Sequence, residues 1–182
     1  MLLGSDICDF DWPAPDFSLA TPAGETHSRD SLMGANGLLI AFICNHCPYV
    51  IAVIDRLAED MKLLEAEGVG CAAIMSNDYR AYPADAPDKM IPFARAHGLE
   101  APYLLDEDQS VAKAYGAVCT PDIFGFNAQG GLQYRGRIDE VGMRDDPEAR
   151  VPELLNAMRQ VAQTGKGPRE QVASMGCSIK WT

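Results

Sequence analysis

The chain has 182 residues, enough for one domain with insertions and cramped for two. Apolar residues make up 47% and charged residues 23%, which supports a packed core and excludes disordered or collagen-like structure. With 15 Lys and Arg against 26 Asp and Glu, the formal charge is −11, so binding to nucleic acid or to an anionic membrane surface is not expected.

The elements read off in chain order as follows. Asp11 to Pro22, with Pro13, Pro15 and Pro22, predicts an extended lead-in holding one short edge strand. Gly37 to Ile43 is a continuous apolar run of strand length, which predicts a central strand buried on both faces. It ends at Cys44-Asn45-His46-Cys47-Pro48. Val50, Ile54, Leu57, Met61 and Leu64 then recur at helical spacing, and Gly68 stops that helix. Val69 to Met75 predicts a second buried strand, parallel to the first in a β-α-β unit. Ser76 to Pro87 predicts a loop or insertion.

Further on, Lys89 to His97 predicts a short helix and Tyr103 to Leu105 a short strand. A helix is expected from Gln109 to Tyr115, capped by Asp108 and ended by Gly116. Asp122 to Phe126 and Leu132 to Ile138 flank a glycine-rich stretch and predict a β-hairpin. A last helix carries Val151, Leu154, Leu155, Met158 and Val161, its start set by Pro147 or Pro152. Arg169 to Thr182 reads as a tail. The apolar runs are too short to span a membrane. Met1 to Asp6 has no basic or apolar leader pattern, so the expected location is the cytoplasm.

Six cysteines stand at 8, 44, 47, 71, 119 and 177, and only Cys44 and Cys47 are close in sequence. In a reducing compartment such a pair points to redox chemistry or metal binding. A zinc site would need a second close pair of Cys or His, and Cys71, Cys119, Cys177, His27 and His97 are scattered, so no metal is expected. A thiolate is the attacking species in disulfide exchange. A helix start stabilises an anion. The reading therefore puts Cys44 at or just before the N-cap as nucleophile. Cys47 lies one turn into the helix as the resolving thiol. His46 between them would add positive charge. Cys71 reads as core and Cys8 as a bystander near the terminus.

The order of elements, a C-x-x-C after a buried strand and Thr120-Pro121 about 70 residues later resemble the thioredoxin fold. The chain is more closely similar to its redoxin branch, which includes the thiol-specific antioxidant proteins and the cytochrome-maturation thioredoxins. Pro15-Asp16-Phe17, Cys44-Asn45-His46-Cys47-Pro48, Cys119-Thr120-Pro121, Phe126-Asn127-Ala128-Gln129-Gly130 and Tyr134 to Asp139 carry the likeness.

That resemblance implies an α/β fold of three layers, a central mixed sheet flanked by helices, with an N-terminal extension and a C-terminal tail. It implies a single domain over 1–182, with a core of about 15–163 and a tail over 164–182. It implies a thiol–disulfide oxidoreductase without a cofactor. The substrate would be a protein or small-molecule disulfide, and the electrons would come from a thioredoxin- or glutathione-type donor. Thr120-Pro121 would be a cis-proline turn that offers backbone groups to an extended substrate chain. Gly176-Cys177-Ser178-Ile179-Lys180-Trp181 resembles the tail of a redoxin subfamily, so Cys177 is either a third redox thiol or a free surface thiol. Cys119 is either a small buried residue or an additional redox thiol.

Two departures matter. Peroxide-reducing redoxins carry Thr or Ser three residues before the attacking cysteine, and Ala41 stands there. Arg135 and Arg137, in a hairpin, are expected to be solvated, so an antioxidant thiol peroxidase is the alternative function, followed by a metal-binding or non-catalytic thioredoxin-like module. The strand before the pair holds no acid to take up a thiol proton, which leaves Asp106, Asp108 or solvent for that role.

Overall fold

The computed structural model describes residues 1–144 and 147–182. Strands β1 (Leu2–Gly4), β2 (Ser18–Ala20) and β3 (Thr26–Ser28) lead into helix α1 (Arg29–Leu32) and strand β4 (Gly37–Phe42). Helices α2 (Pro48–Ile51) and α3 (Ile54–Ala66) follow, then β5 (Val69–Met75), α4 (Pro87–Ala96), β6 (Tyr103–Leu105) and α5 (Ser110–Tyr115). Strands β7 (Cys119–Thr120), β8 (Asp122–Phe126) and β9 (Leu132–Tyr134), helix α6 (Glu153–Thr164) and strand β10 (Met175–Ser178) complete the chain.

Seven strands form a mixed sheet in the order β3-β2-β6-β5-β4-β8-β9. Strand β4 runs parallel to β5 and antiparallel to β8. Its alternation explains the unbroken apolar run. Leu39, Ala41 and Ile43 face one core with α3 and α6. Leu38, Ile40 and Phe42 face the other core with Phe17, Tyr115, Phe124 and Phe126. Both faces being covered, every position in β4 is buried, as a continuous apolar strand requires.

Several boundaries differ from the sequence reading, each for a physical reason. The first long helix is split. Val53 N–H bonds Val50 O in a tightened turn, and α3 restarts at Ile54. The apolar repeat keeps its phase across this break, so periodicity alone does not reveal it. Helix α5 starts at Ser110 because Gln109 adopts a left-handed conformation (φ 63°). The buried Asp106, rather than Asp108 alone, caps it, accepting from Val111 N at 3.2 Å and Ala112 N at 2.9 Å. Strand β2 lies inside the sheet and β3 takes the edge. Strand β9 stops at Tyr134. Helix α6 begins at Glu153 after Pro152, and Pro147 instead opens a 3-10 turn over Pro147–Ala149.

The largest difference is the tail. It carries β10, which is the middle strand of a second small sheet, β1-β10-β7. Cys177 pairs with Thr120 on one side and with Leu2 on the other. Gly176 makes this approach possible, since a Cβ there would lie 2.0 Å from the Thr120 carbonyl oxygen.

Candidate active site

Strand β4 ends at Phe42 and delivers Cys44 into a bend, while α2 begins at Pro48. Proline lacks an N–H and suits the first helical position, so it fixes the helix start. Cys47 is therefore the N-cap, and Cys44 stands three residues before it rather than at the cap. Both are buried, at 1% and 0% exposure. The Thr120-Pro121 bond is cis. Thr120 bridges the pair. Its hydroxyl lies 3.5 Å from Cys44 Sγ, and its carbonyl accepts from Cys47 Sγ at 3.2 Å.

The two residues between the cysteines are anchored by a group the sequence did not single out. Asp85, fully buried, comes from the 76–87 loop. One oxygen accepts from Asn45 N at 2.8 Å. The other accepts from Asn77 Nδ2 at 2.9 Å and lies 2.7 Å from His46 Nδ1. Asn45 Nδ2 donates to Ala84 O at 3.0 Å, and Tyr103 OH donates to Asn45 Oδ1 at 2.9 Å. Tyr82 stacks on the His46 ring, with centroids 5.6 Å apart. The loop is thus a clasp on the C-x-x-C bend. The carboxylate beside the pair is Asp85. Asp106 is occupied capping α5 and accepting from Ser76 Oγ at 2.8 Å, and Asp108 is exposed with its oxygen on Ser110 N. A signal for Asp85 was present in its setting: an acid between Pro83 and Pro87 just beyond a central strand.

Sulfur, imidazole and carboxylate donors of Cys44, His46 and Asp85 lie within 4.8 Å of one another. They fit a metal poorly. The His46 Nδ1 and both Asp85 oxygens are already hydrogen-bonded inside the clasp.

The two thiols share their ionisation. Cys44 is pushed well up, first by its hydrogen bond with Cys47, then by burial and by the Asp85 charge. Cys47 is lowered to about 4, first by the hydrogen bond from Cys44, then, against the cost of burial, by the thiol and backbone N–H of Cys177 and by the Val50 N–H. Val50 N–H stops short of a formed cap. The Thr120 carbonyl favours the Cys47 thiol and the other neighbours favour its thiolate. The two thiols therefore ionise as a pair, with the Thr120 hydroxyl at Cys44 and its carbonyl at Cys47.

A lowered thiol stabilises the folded reduced state above the ordinary thiol value, and this contribution is lost as pH falls toward about 4. Reduced protein is therefore expected to gain stability relative to its disulfide form as pH rises from about 4 to about 9. Urea midpoints of the two forms across this window check it. A constant difference would contradict it.

The other thiols separate clearly. Cys71 is core, its thiol pushed up by burial. Cys119 is fully buried, and its thiol donates to Pro121 O at 3.5 Å. Cys8 is partly exposed and its thiol is pushed up to about 11, chiefly by burial. Arg135 is not solvated. It is 7% exposed, pairs with Asp122 at 3.2 Å and stacks over Phe124. Arg137 pairs with Glu153 at 2.7 Å. An apolar cavity of about 290 Å³ opens beside Pro121, between Tyr49 and Val53 on one side and Ser174 and Met175 on the other.

The fold is thioredoxin-like. It superposes on the thioredoxin domain of a thiol-disulfide oxidoreductase from Bacteroides vulgatus with a TM-score of 0.65 at 14% identity, covering 87% of this chain and 99% of that one. An uncharacterized conserved protein from Geobacillus kaustophilus matches more fully, with a TM-score of 0.92 and 34% identity over 100% of this chain and 97% of that one. A hypothetical protein from Sinorhizobium meliloti 1021 gives 0.92 and 34%, over 98% of each chain. No curated protein sequence matches significantly. The AhpC/TSA family model matches residues 11–135, and the chain belongs to that family. Among the described residues no helix is long and apolar enough to cross a membrane.

Proposed function

We propose that the protein is a thiol–disulfide oxidoreductase whose exchange pair is Cys44 and Cys47. The observation that carries this reading is geometric: two buried thiols at the start of α2 both meet the cis Thr120-Pro121 turn, Cys44 Sγ at the Thr120 hydroxyl and Cys47 Sγ at its carbonyl. His46 lies between the two cysteines, held by Asp85, where it would tune the pair. The oxidised state is a Cys44–Cys47 disulfide, and the electrons reside in the dithiol, so the exchange itself uses no cofactor. The cavity beside Pro121 would receive the carbon skeleton of a substrate disulfide, and a thioredoxin- or glutathione-type thiol in a cytoplasmic setting would supply electrons.

Dithiol exchange is favoured over peroxide reduction. A peroxide pocket needs a hydroxyl and a guanidinium at the attacking sulfur. A hydroxyl is present, since Thr120 Oγ1 lies 3.5 Å from Cys44 Sγ, but Arg135 and Arg137 are engaged with Asp122 and Glu153. Turnover of a low-molecular-weight disulfide with an excess monothiol donor tests the reading. Cys44→Ser and Cys47→Ser are each expected to lose at least about 100-fold, since exchange requires both sulfurs. Turnover retained in both variants would overturn it.

A further inference from the structure

The dithiol is closed to solvent, yet it must meet external thiols or disulfides. Strand β10 packs on α2 and covers the pair. It also occupies the edge of β7, the place where an extended substrate chain was expected to add. Strand addition at Thr120 is therefore taken by the protein's own tail. The tail is held at both ends. Ser174 N donates to Ser5 Oγ at 3.0 Å, and Ser174 Oγ donates to Pro121 O at 2.8 Å. Beyond the strand, Lys180 N donates to Asn77 Oδ1 at 2.9 Å, and Lys180 O accepts from Asp78 N at 2.7 Å and Gln109 Nε2 at 2.8 Å. The register sets Cys177 opposite Thr120, whose carbonyl accepts from Cys47 Sγ, and Cys177 packs against the core cluster that holds both buried cysteines. Cys177 is partly exposed where Cys44 and Cys47 are not.

We propose that Cys177 is a third redox thiol that carries the disulfide from the buried pair to the surface, through a Cys47–Cys177 disulfide that alternates with Cys44–Cys47. This rests on the oxidoreductase reading above. In the first step the Cys177 thiolate attacks Cys47 Sγ of the Cys44–Cys47 bridge. The Cys47–Cys177 bond forms and the Cys44–Cys47 bond breaks. The electron pair leaves on Cys44, which takes up a proton equivalent to the one Cys177 gave up. In the second, an external monothiol attacks the accessible Cys177 Sγ and Cys47 leaves as thiolate. A second equivalent of the same thiol attacks the mixed disulfide, releasing the external disulfide and Cys177. The net change is one buried disulfide reduced and two external thiols oxidised. Burial, then the hydrogen bond and charge of a reduced Cys47, push the Cys177 thiol up to about 11, and Lys180 pulls the other way.

The test traps the second bridge. Cys44→Ser is equilibrated with glutathione disulfide and digested with trypsin. The expected product joins the peptide 30–56, which holds Cys47, to the peptide 170–180, which holds Cys177. In otherwise wild-type protein, Cys177→Ser should still form the Cys44–Cys47 bridge but should be reduced by glutathione at least about 10-fold more slowly. Only glutathione adducts on Cys44→Ser, together with wild-type reduction of Cys177→Ser, would overturn the relay alone. No Cys44–Cys47 bridge in the wild type would overturn the oxidoreductase reading and the relay with it. Should Cys44→Ser fail to fold, the rate comparison on Cys177→Ser decides.

Discussion

Gly176→Val is expected to raise the alkylation rate of the buried cysteines about 100-fold. The reason is steric. A Cβ at 176 would stand 2.0 Å from Thr120 O and 2.6 Å from its carbonyl carbon, both backbone atoms that cannot swing aside. Overpacking of this kind costs about 3 kcal/mol, which corresponds to roughly 100-fold in the closed-to-open equilibrium of the tail. Strand β10 has four residues and belongs to a small sheet separate from the seven-stranded one, so the loss falls on local opening rather than on the central sheet. Iodoacetamide labelling of reduced protein, read by mass at Cys44 and Cys47, checks it, with far-UV circular dichroism showing the fold intact. Labelling at the wild-type rate would show that β10 does not gate the site.

Asp85→Ala should be the most damaging change outside the cysteines. It strands the Asn45 N–H and Asn77 Nδ2 donors, and each unmet donor costs roughly 1–3 kcal/mol. A total of about 3 kcal/mol lowers the melting temperature by roughly 10 °C for a chain of this size. Asp85→Asn separates structure from charge. It keeps the volume and one acceptor but removes the anion that helps hold Cys44 up. The second thiolate of the reduced protein should then appear at lower pH than in the wild type, seen as thiolate absorbance near 240 nm. An unchanged second titration in Asp85→Asn would remove Asp85 from the electrostatics of the pair.

Much of the site was legible because its signals are local. A doubly buried strand, a cysteine pair at its end and Pro48 at the helix start lie within a dozen residues of one another. Thr120-Pro121 was legible through its likeness to a family element, and it does meet both sulfurs. What escaped was held by distant contacts. Asp85 reaches Asn45 and His46 across about 40 residues, and nothing in its own neighbourhood names those partners. Arg135 looked like a hairpin arginine, but Asp122 beside it on the sheet draws it inward. Strand β10 reads Met-Gly-Cys-Ser, too short and too small to show alternation. Its partners are β1 and β7, so it becomes a strand only when both ends of the chain meet.

The central claim is a reversible dithiol–disulfide pair, and one titration tests it most directly. The protein is equilibrated in glutathione buffers of graded potential, quenched with acid, and its disulfides mapped by mass. The account predicts a Cys44–Cys47 bridge that forms and breaks reversibly. Its midpoint should lie above thioredoxin's value of about −270 mV and toward the oxidising end near about −120 mV, because a stabilised thiolate favours the reduced state. A pair that stays fully reduced across that whole range would contradict it.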